Sequence, residues 1–90
     1  MPKADQNRYT VQLLKHAGIV LARLPQAAVR PLAAAIDGLA SKPRPADSHR
    51  LAGRYEHLRV VVDDWQIVYT VDDDILLIVV VEIAPWRGGR

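Results

Sequence analysis

The feature that most constrains the fold is the stretch ILLIVVVEI, from Ile75 to Ile83, near the end of the chain. It is rich in β-branched residues and apolar at both odd and even positions, which favours a strand that is apolar on both faces. Strands of this kind lie inside a sheet, with both faces covered or nearly so. The stretch is far shorter than the about 20 apolar residues that a membrane-spanning helix needs. We therefore expect an internal strand and no membrane partner.

Two further strands precede this one and are set off by acidic turns. The segment WQIVYTV alternates apolar and polar positions, and YEHLRVV alternates more loosely. Asp favours tight turns because its side chain hydrogen-bonds to nearby backbone N–H groups. We predict a three-stranded antiparallel meander with strands at Tyr55 to Val61, Trp65 to Val71 and Ile75 to Ile83, and turns at Asp63-Asp64 and Asp72 to Asp74.

The first half of the chain predicts one strand and two helices. RYTVQLL (Arg8 to Leu14) contains the β-formers of a strand, and the apolar positions after it have helical spacing until Pro25. A second apolar stripe extends from Val29 to Ala40. Pro31 leaves two possibilities for this helix, a start near Ala28 or a kink.

These elements together predict an α+β domain. A loop at SKPRPADSH (Ser41 to His49), with two prolines and no periodicity, joins the two halves. The order is β-α-α-β-β-β, with the first strand joining the sheet and the helical hairpin covering one face. We expect residues 1–90 to form a single domain, with flexible ends at 1–7 and 85–90.

Composition excludes several classes of protein. The chain has no cysteine, which rules out disulfides and thiolate metal sites and is typical of a reducing cytoplasm. Its N-terminus, MPKADQNRYT, lacks the apolar core of a signal peptide. Half of the residues are apolar and 24% are charged, as in a globular domain and unlike a disordered chain. We therefore expect a globular cytoplasmic protein.

Charge is unevenly distributed along the chain, although the net charge is only +2. Residues 42–59 contain five Lys or Arg and two acids, whereas residues 60–84 contain six acids and no Lys or Arg. If the basic tail folds back near the middle segment, one face of the domain becomes basic and suits a polyanion. The alternative is that both charge groups are solvated turns. The sheet face opposite the helices, near His57 and Arg59, is the expected position of a ligand.

A set of short motifs extends from about Tyr9 to Ile83. It comprises Leu24-Pro25 between the helices, the Pro43/Pro45 loop, Leu51-x-Gly53, a Tyr-x-x-x-Arg strand and the hairpin Asp-Trp-x-Ile-Val-Tyr-x-Val-Asp-Asp. In this order the motifs resemble the RelE/ParE superfamily of toxin–antitoxin toxins, and the hairpin is the most specific of them. The resemblance implies a compact toxin that a RelB-like antitoxin wraps around and neutralises.

The resemblance implies one of two activities. RelE-like members cut mRNA in the ribosomal A site without a metal, and ParE-like members poison DNA gyrase. This chain has Gln66 where RelE-like toxins usually have an arginine. It has Ala84-Pro85-Trp86-Arg87 where they have a Gly-(His/Lys)-Arg run followed by a tyrosine. We expect a ribosome-dependent mRNA endoribonuclease without a cofactor, and the two departures favour the alternatives of a gyrase inhibitor or a catalytically decayed antitoxin-binding module.

Three residues are candidates for catalysis. Metal-free RNA cleavage needs a base for the 2′-hydroxyl proton, cations for the charged transition state and an acid for the 5′-oxygen. His57 can act as base or acid, because imidazole titrates near neutrality, or it is simply a strand residue facing solvent. Arg59 shares its face and can hold the scissile phosphate, unless it pairs with an aspartate turn. Arg87 is the catalytic candidate in the C-terminal tail, because it lies nearest the position at which RelE-like toxins have the arginine of their Gly-(His/Lys)-Arg run.

Further residues are candidates for RNA or ribosome contacts. Arg50 and Arg54 lie in the predicted loop around Gly53. They are candidates for contacts to the RNA backbone, which position the RNA without reading its sequence. Trp86 can stack on a base or close the core beside Pro85. The Asp clusters are interpreted as turns, so we predict no metal site. The full set of candidates for RNA or ribosome binding is His49, Arg50, Arg54, Trp86 and Arg90, with a plain loop position as the alternative for His49.

Overall fold

Five strands and two helices make up the described part of the chain. The computed structural model describes residues 8–51 and 56–87. Within these ranges no helix is long and apolar enough to cross a membrane. The elements are β1 (Thr10–Leu13), α1 (Lys15–Arg23), α2 (Gln26–Ser41), β2 (His49–Leu51), β3 (His57–Val62), β4 (Trp65–Asp72) and β5 (Leu77–Pro85).

All five strands belong to one sheet, in the order β1-β5-β4-β3-β2. β3, β4 and β5 are antiparallel neighbours, which confirms the predicted meander. β1 lies parallel to β5, from Thr10 opposite Leu77 to Leu13 opposite Val80. The apolar β5 therefore has a neighbouring strand on each side, as its composition predicted.

The two helices form the predicted hairpin, but the second helix starts at Gln26. Pro25 is its N-cap, and the N–H groups of Ala28 and Val29 donate to the Pro25 carbonyl at 2.9 and 3.1 Å. The predicted start near Ala28 is therefore wrong. Pro31 lies inside the helix, where its missing N–H removes one backbone hydrogen bond. Burial of the apolar stripe outweighs this loss.

The hydrophobic core lies between the helix pair and one face of the sheet. Alternate residues of β3, β4 and β5 point to this face and meet the apolar stripes of the helices. Tyr69 is fully buried there, and its hydroxyl donates to the Pro43 carbonyl at 2.8 Å. Burial raises the pKa of this hydroxyl. The buried members of the cluster are Ala17, Leu32, Ile36, Leu39, Leu58, Val60, Ile67, Tyr69, Ile78, Val80 and Ile83.

A β-bulge decides which residues of β5 face the core. Val68 pairs with Glu82, and the next residue, Tyr69, pairs with Val80, so β5 contains one extra residue. An unbroken strand with Val80 in the core would also turn Glu82 inward, because faces alternate residue by residue. The bulge instead turns Ile83 into the core, where it is 2% exposed, and leaves Glu82 exposed on the other face.

The main difference from the sequence-based prediction is β2. We predicted a loop from Ser41 to His49 that continues around Arg50, whereas His49–Leu51 forms a strand paired with β3. Three residues are too few to produce a recognisable alternation after two prolines. The turn at Asp63-Asp64 is found as predicted, and the second turn shifts from 72–74 to 73–76 because β4 extends through Asp72.

A chain of polar contacts joins several elements near the β4–β5 turn. Asp73 accepts a hydrogen bond from the Tyr9 hydroxyl at 2.6 Å and two from Arg44 at 3.0 and 3.3 Å. Arg44 also donates to Glu56 at 3.4 Å, and Arg50 lies 3.5 Å from the same carboxylate. The Arg44 bonds and the Tyr9 bond lower the pKa of Asp73, and the bond to Asp73 raises the pKa of Tyr9.

Candidate nucleic-acid interface

The sheet face that points away from the helices, which we call the open face, carries most of the candidate residues. Its members alternate along the strands with the buried core residues and pair with one another across the sheet. His57 and Arg59 both belong to it, as their spacing predicted. In β2 to β5 the paired residues of the open face are His49, Leu51, His57, Arg59, Val61, Gln66, Val68, Thr70, Asp72, Leu77, Val79, Glu82 and Ala84.

The strand register aligns four of these residues in a row across the open face. His49 lies opposite Arg59, Arg59 opposite Val68, and Val68 opposite Glu82. Directly paired residues on antiparallel strands have Cβ atoms about 4.5–5.5 Å apart. His49 is thus an immediate neighbour of Arg59 on a strand, and the predicted loop position is wrong. His57 lies in the next row, so Arg59 has a histidine at each of two neighbouring strand positions.

The side chain of Arg59 stacks on Trp86. Its guanidinium carbon lies 4.3 Å from the centroid of the indole ring, within the range of cation–π attraction. Its Nε atom is buried and has no hydrogen-bond partner. No ion pair of Arg59 occurs among residues 8–51 and 56–87, so the alternative of a salt bridge to an aspartate turn is not found there. A buried donor without a partner costs ~1–3 kcal/mol, which makes Arg59 an unusual residue in this fold.

Trp86 is anchored at the end of the open face, just beyond β5. Its backbone N–H donates to the Asp64 carbonyl at 2.7 Å, so the chain continues along the sheet past the pairing of Trp65 with Pro85. Trp65 packs against the core cluster, whereas the partly exposed Trp86 does not belong to the groups that do so. The indole of Trp86 therefore packs on Arg59 instead of closing the core.

Arg87 lies at the hairpin end of the sheet, far from His57. It lines an open groove of about 430 Å³ together with Asp64, Trp65, Pro85 and Trp86. Along the strands this end is on the order of 15 Å from His57, given a rise of about 3.3 Å per residue over β3. The three residues predicted to act together in catalysis therefore divide into two groups, with His57 and Arg59 close together and Arg87 apart.

His57 lines a second groove of about 560 Å³ that is rich in carboxylates. The other residues around it include Glu56, Thr70 and the acidic run 72–74. Among residues 8–51 and 56–87, no group of three His, Asp or Glu side chains is arranged to hold a metal ion. Asp72 acts locally, because its carboxylate accepts the Asp74 N–H at 3.0 Å, as an Asp in a turn usually does.

Arg50, the candidate arginine of the predicted loop that the structure describes, does not share the open face. Arg50 pairs with Leu58, whose side chain points to the core, and so belongs to the opposite side of β2. Its side chain is 70% exposed and pairs with Glu56. Arg54 and Arg90 lie outside the described residues. Arg50 is thus available at the sheet edge, beside the site rather than within it.

Solved structures with the same architecture identify the fold. The archaeal RelE–RelB complex from Pyrococcus horikoshii OT3 contains a chain that matches with a TM-score of 0.74 and 23% identity, over 87% of this chain and 94% of that chain. The isolated Escherichia coli RelE toxin matches with a TM-score of 0.77 and 15% identity, over 91% of this chain and 88% of that chain. This chain has the RelE-like fold. The expected fold class is therefore confirmed.

A third structure with the RelE-like fold is the Mycobacterium tuberculosis RelBE2 toxin–antitoxin complex. It matches with a TM-score of 0.74 and 19% identity, over 87% of this chain and 98% of that chain. No protein-family model matches the sequence, and no curated protein matches it. At these identities the similarity fixes the architecture of the domain, and its chemistry has to be argued from its own residues.

Sequence reasoning missed the position of Glu82 on this face, whereas the alternation in WQIVYTV already placed Gln66 on the side opposite to Tyr69. Glu82 stands in the same row as His49 and Arg59, because the bulge turns it outward. Gln66 also lies on the open face, between Val61 and Ala84. The signal for Glu82 was present, since a single charge in an otherwise apolar strand is costly to bury and predicts a local change of face.

Proposed function

We propose that this protein is the toxin of a type II toxin–antitoxin system and that a RelB-like antitoxin neutralises it. The RelE-like fold supports the proposal, as do the motifs from Tyr9 to Ile83. Expression of the chain alone should arrest growth, and co-expression of a small acidic protein encoded in the adjacent reading frame should restore it. Growth arrest that this neighbour does not relieve would contradict the proposal.

The activity that we propose is ribosome-dependent cleavage of mRNA at the open face. One of the two imidazoles takes the proton of a 2′-hydroxyl, and the O2′ atom attacks the neighbouring phosphorus. The P–O5′ bond breaks as the P–O2′ bond forms, which leaves a 2′,3′-cyclic phosphate. The other imidazole gives its proton to the departing 5′-oxygen, and the Arg59 guanidinium stabilises the charge on the phosphate oxygens.

The observation that carries this activity is the grouping of His49, His57 and Arg59 on one face. His49 pairs with Arg59 and His57 lies in the next row, and histidine is the most common acid–base residue in catalysis. No other face in the described part of the chain combines these three groups. Arg50 at the sheet edge and Arg87 at the hairpin end then serve as contacts to the RNA backbone, and we assign the same role to Arg54 and Arg90.

Toeprinting of an mRNA on purified ribosomes tests this activity. Wild-type protein should produce cleavage within the A-site codon, and His57→Ala should slow it about 10²–10⁴-fold, the usual contribution of an acid–base group. Arg87→Ala should slow it less, because Arg87 is distant from the histidines. Arg30→Ala is the charge-matched control, since Arg30 is exposed on α2, behind the sheet. Absence of cleavage by folded wild type, or full cleavage by Arg59→Ala, would contradict the proposal.

Inhibition of DNA gyrase is the second candidate function. It is favoured by Gln66, which stands on the open face where the RelE-like sequence pattern has an arginine. A supercoiling assay with purified gyrase distinguishes the two candidate functions. Inhibition of supercoiling without RNA cleavage would identify the protein as a gyrase inhibitor. If neither activity is detected and expression leaves growth unchanged, the chain is an antitoxin-binding module without toxicity.

A further inference from the structure

The contact between Arg59 and Trp86 gives the indole a role of its own. We propose that Trp86 is a positioning residue, which holds the Arg59 guanidinium in one orientation on the open face so that its two Nη atoms are the donors offered to an anionic group. The inference rests on the proposed function, in which that group is a phosphate of RNA. Trp86 acts through Arg59 and has no contact with the reacting atoms.

The register shows how far the two side chains must reach to meet. Trp86 follows Pro85 beside Asp64, whereas Arg59 lies in the row of Val68. One row, that of Val61, Gln66 and Ala84, separates them. Residues on one face of a strand are about 6.6 Å apart per row, so the two Cα atoms are on the order of 13 Å apart along the strands. A guanidinium–indole distance of 4.3 Å therefore requires both side chains to extend toward each other over that row.

The chemistry of the stack decides which donors remain for a ligand. A cation–π contact uses the flat face of the guanidinium, whereas its N–H bonds point outward in the plane. The Nε atom is buried and has no partner, so it cannot reach a ligand without rearrangement. The Nη atoms are then the donors left for a phosphate, as a fork that suits two of its oxygens.

Preorganisation is the benefit that such a stack provides. A long arginine side chain loses rotamer freedom when it binds a ligand, and this loss weakens binding. The indole removes part of the loss in advance because its own backbone is fixed to Asp64 by a hydrogen bond of 2.7 Å. A buried Nε without a partner is what results when packing, rather than hydrogen bonding, sets the orientation of a guanidinium.

Binding of a fluorescein-labelled, single-stranded 2′-O-methyl RNA hexamer, which cannot be cleaved, tests the role of the stack. Trp86→Leu should weaken binding by about threefold to tenfold, the range of a partly exposed cation–π contact, and Trp86→Phe should stay close to wild type. In an Arg59→Ala background, Trp86→Leu should have no further effect. Trp65→Phe is the matched control, because that indole packs on the core side.

Each other outcome of the binding experiment has a definite meaning. If Trp86→Leu weakens binding equally with and without Arg59, the indole stacks on a base directly and the inference is overturned. If Trp86→Leu strengthens binding, the indole is a cover that the RNA must displace, and the inference is again overturned. If the wild type does not bind the hexamer, the role of the stack toward an RNA phosphate is overturned, whereas the proposed function is decided separately by cleavage on ribosomes.

Nuclear magnetic resonance of the arginine Nε–H groups tests the positioning without any RNA. The Arg59 Nε–H signal should be shifted by the indole ring current and should exchange slowly with solvent, because the atom is buried. Trp86→Leu should remove the shift and speed the exchange, and Trp86→Phe should restore part of the shift. A wild-type Arg59 signal without a ring-current shift would overturn the inference even if the hexamer binds.

Discussion

The two faces of the sheet are made by the same strands but are built in different ways. On the core face, Leu58, Val60, Ile67 and Tyr69 are at most 5% exposed, and the Tyr69 hydroxyl has a hydrogen-bond partner. On the open face, Arg59 carries a buried Nε atom without a partner. The core face is thus optimised for stability, whereas the open face keeps a group that folding alone does not favour. Substitutions on the two faces should therefore separate stability from activity.

The largest separation is expected for Arg59→Met. Methionine keeps the aliphatic stem against the sheet and removes the unpaired Nε donor, so the free energy of unfolding should be unchanged or rise by about 1 kcal/mol. Cleavage should fall about 10²–10³-fold, as when one donor to a charged transition state is removed. Urea unfolding and a ribosome cleavage assay on the same preparation measure the two effects.

Arg59→Lys sharpens this first prediction. It keeps the charge and loses the fork and the planar stacking surface, so its activity should lie between those of the wild type and Arg59→Met. A marked loss of stability in Arg59→Met would show that the arginine is a structural residue. The contrast between the faces would then be wrong.

The second prediction concerns the core face, where a substitution should change stability. Ile67→Ala should lower the free energy of unfolding by about 2–5 kcal/mol, because Ile67 is fully buried between the sheet and the helices. Val68→Ala is the matched control, since Val68 is the next residue and points to the open face at 7% exposure. Its loss should be smaller, about 1–2 kcal/mol, for the two methyl groups removed. Equal losses would contradict the assignment of the core to one face.

Much of the core face could be predicted from the sequence. The alternation in WQIVYTV and the apolar stretch from Ile75 to Ile83 are both found as strands, because their pattern reflects burial directly. β2 was missed because it has three residues, and its existence depends on pairing with β3 rather than on its own pattern. The bulge opposite Val68 was missed for the same reason, since a register shift is a property of two strands.

The open face was predicted only in part. The shared face of His57 and Arg59 follows from a period of two within one strand. The neighbour His49 depends on the unpredicted β2, and the stack on Trp86 joins residues that are 27 positions apart in sequence. Contacts between distant parts of a chain are set by the fold as a whole. The separation of Arg87 from His57 could not be seen before the strand ends were known.

A smaller effect on the core face is expected for Tyr69→Phe. The change removes the hydrogen bond to the Pro43 carbonyl at 2.8 Å and should lower the free energy of unfolding by about 1 kcal/mol at neutral pH. Burial raises the pKa of Tyr69 above its unfolded value, so its contribution is present below pH ~10 and is lost as the pH rises through the folded pKa. The variant should therefore lose less stability than the wild type between pH 9 and 11, measured by urea unfolding. Parallel curves would contradict this account.

The smallest effect is expected at the β4–β5 turn, which belongs to neither face of the sheet. Asp73 is held by Arg44 and Tyr9, and these bonds lower its pKa below the ordinary value of 3.8. A lowered carboxylate pKa means that its contribution to stability is present above the unfolded pKa and is lost as the pH falls through the folded pKa. Asp73→Asn should therefore reduce the melting temperature slightly at pH 6, and the difference from the wild type should disappear as the pH falls through the folded pKa.

The neighbouring residue provides the control for this last prediction. Asp74→Asn changes the same charge in the same turn, but it is the Asp74 backbone N–H that donates a hydrogen bond there, to the Asp72 carboxylate. It should keep the wild-type dependence of melting temperature on pH. Added salt should reduce the Asp73 effect, because the partners are exposed and their attraction is screened. If both variants respond alike, the loss reflects the net charge of the turn and not the bonds from Tyr9, just before β1, and Arg44, in the loop after α2, to the β4–β5 turn.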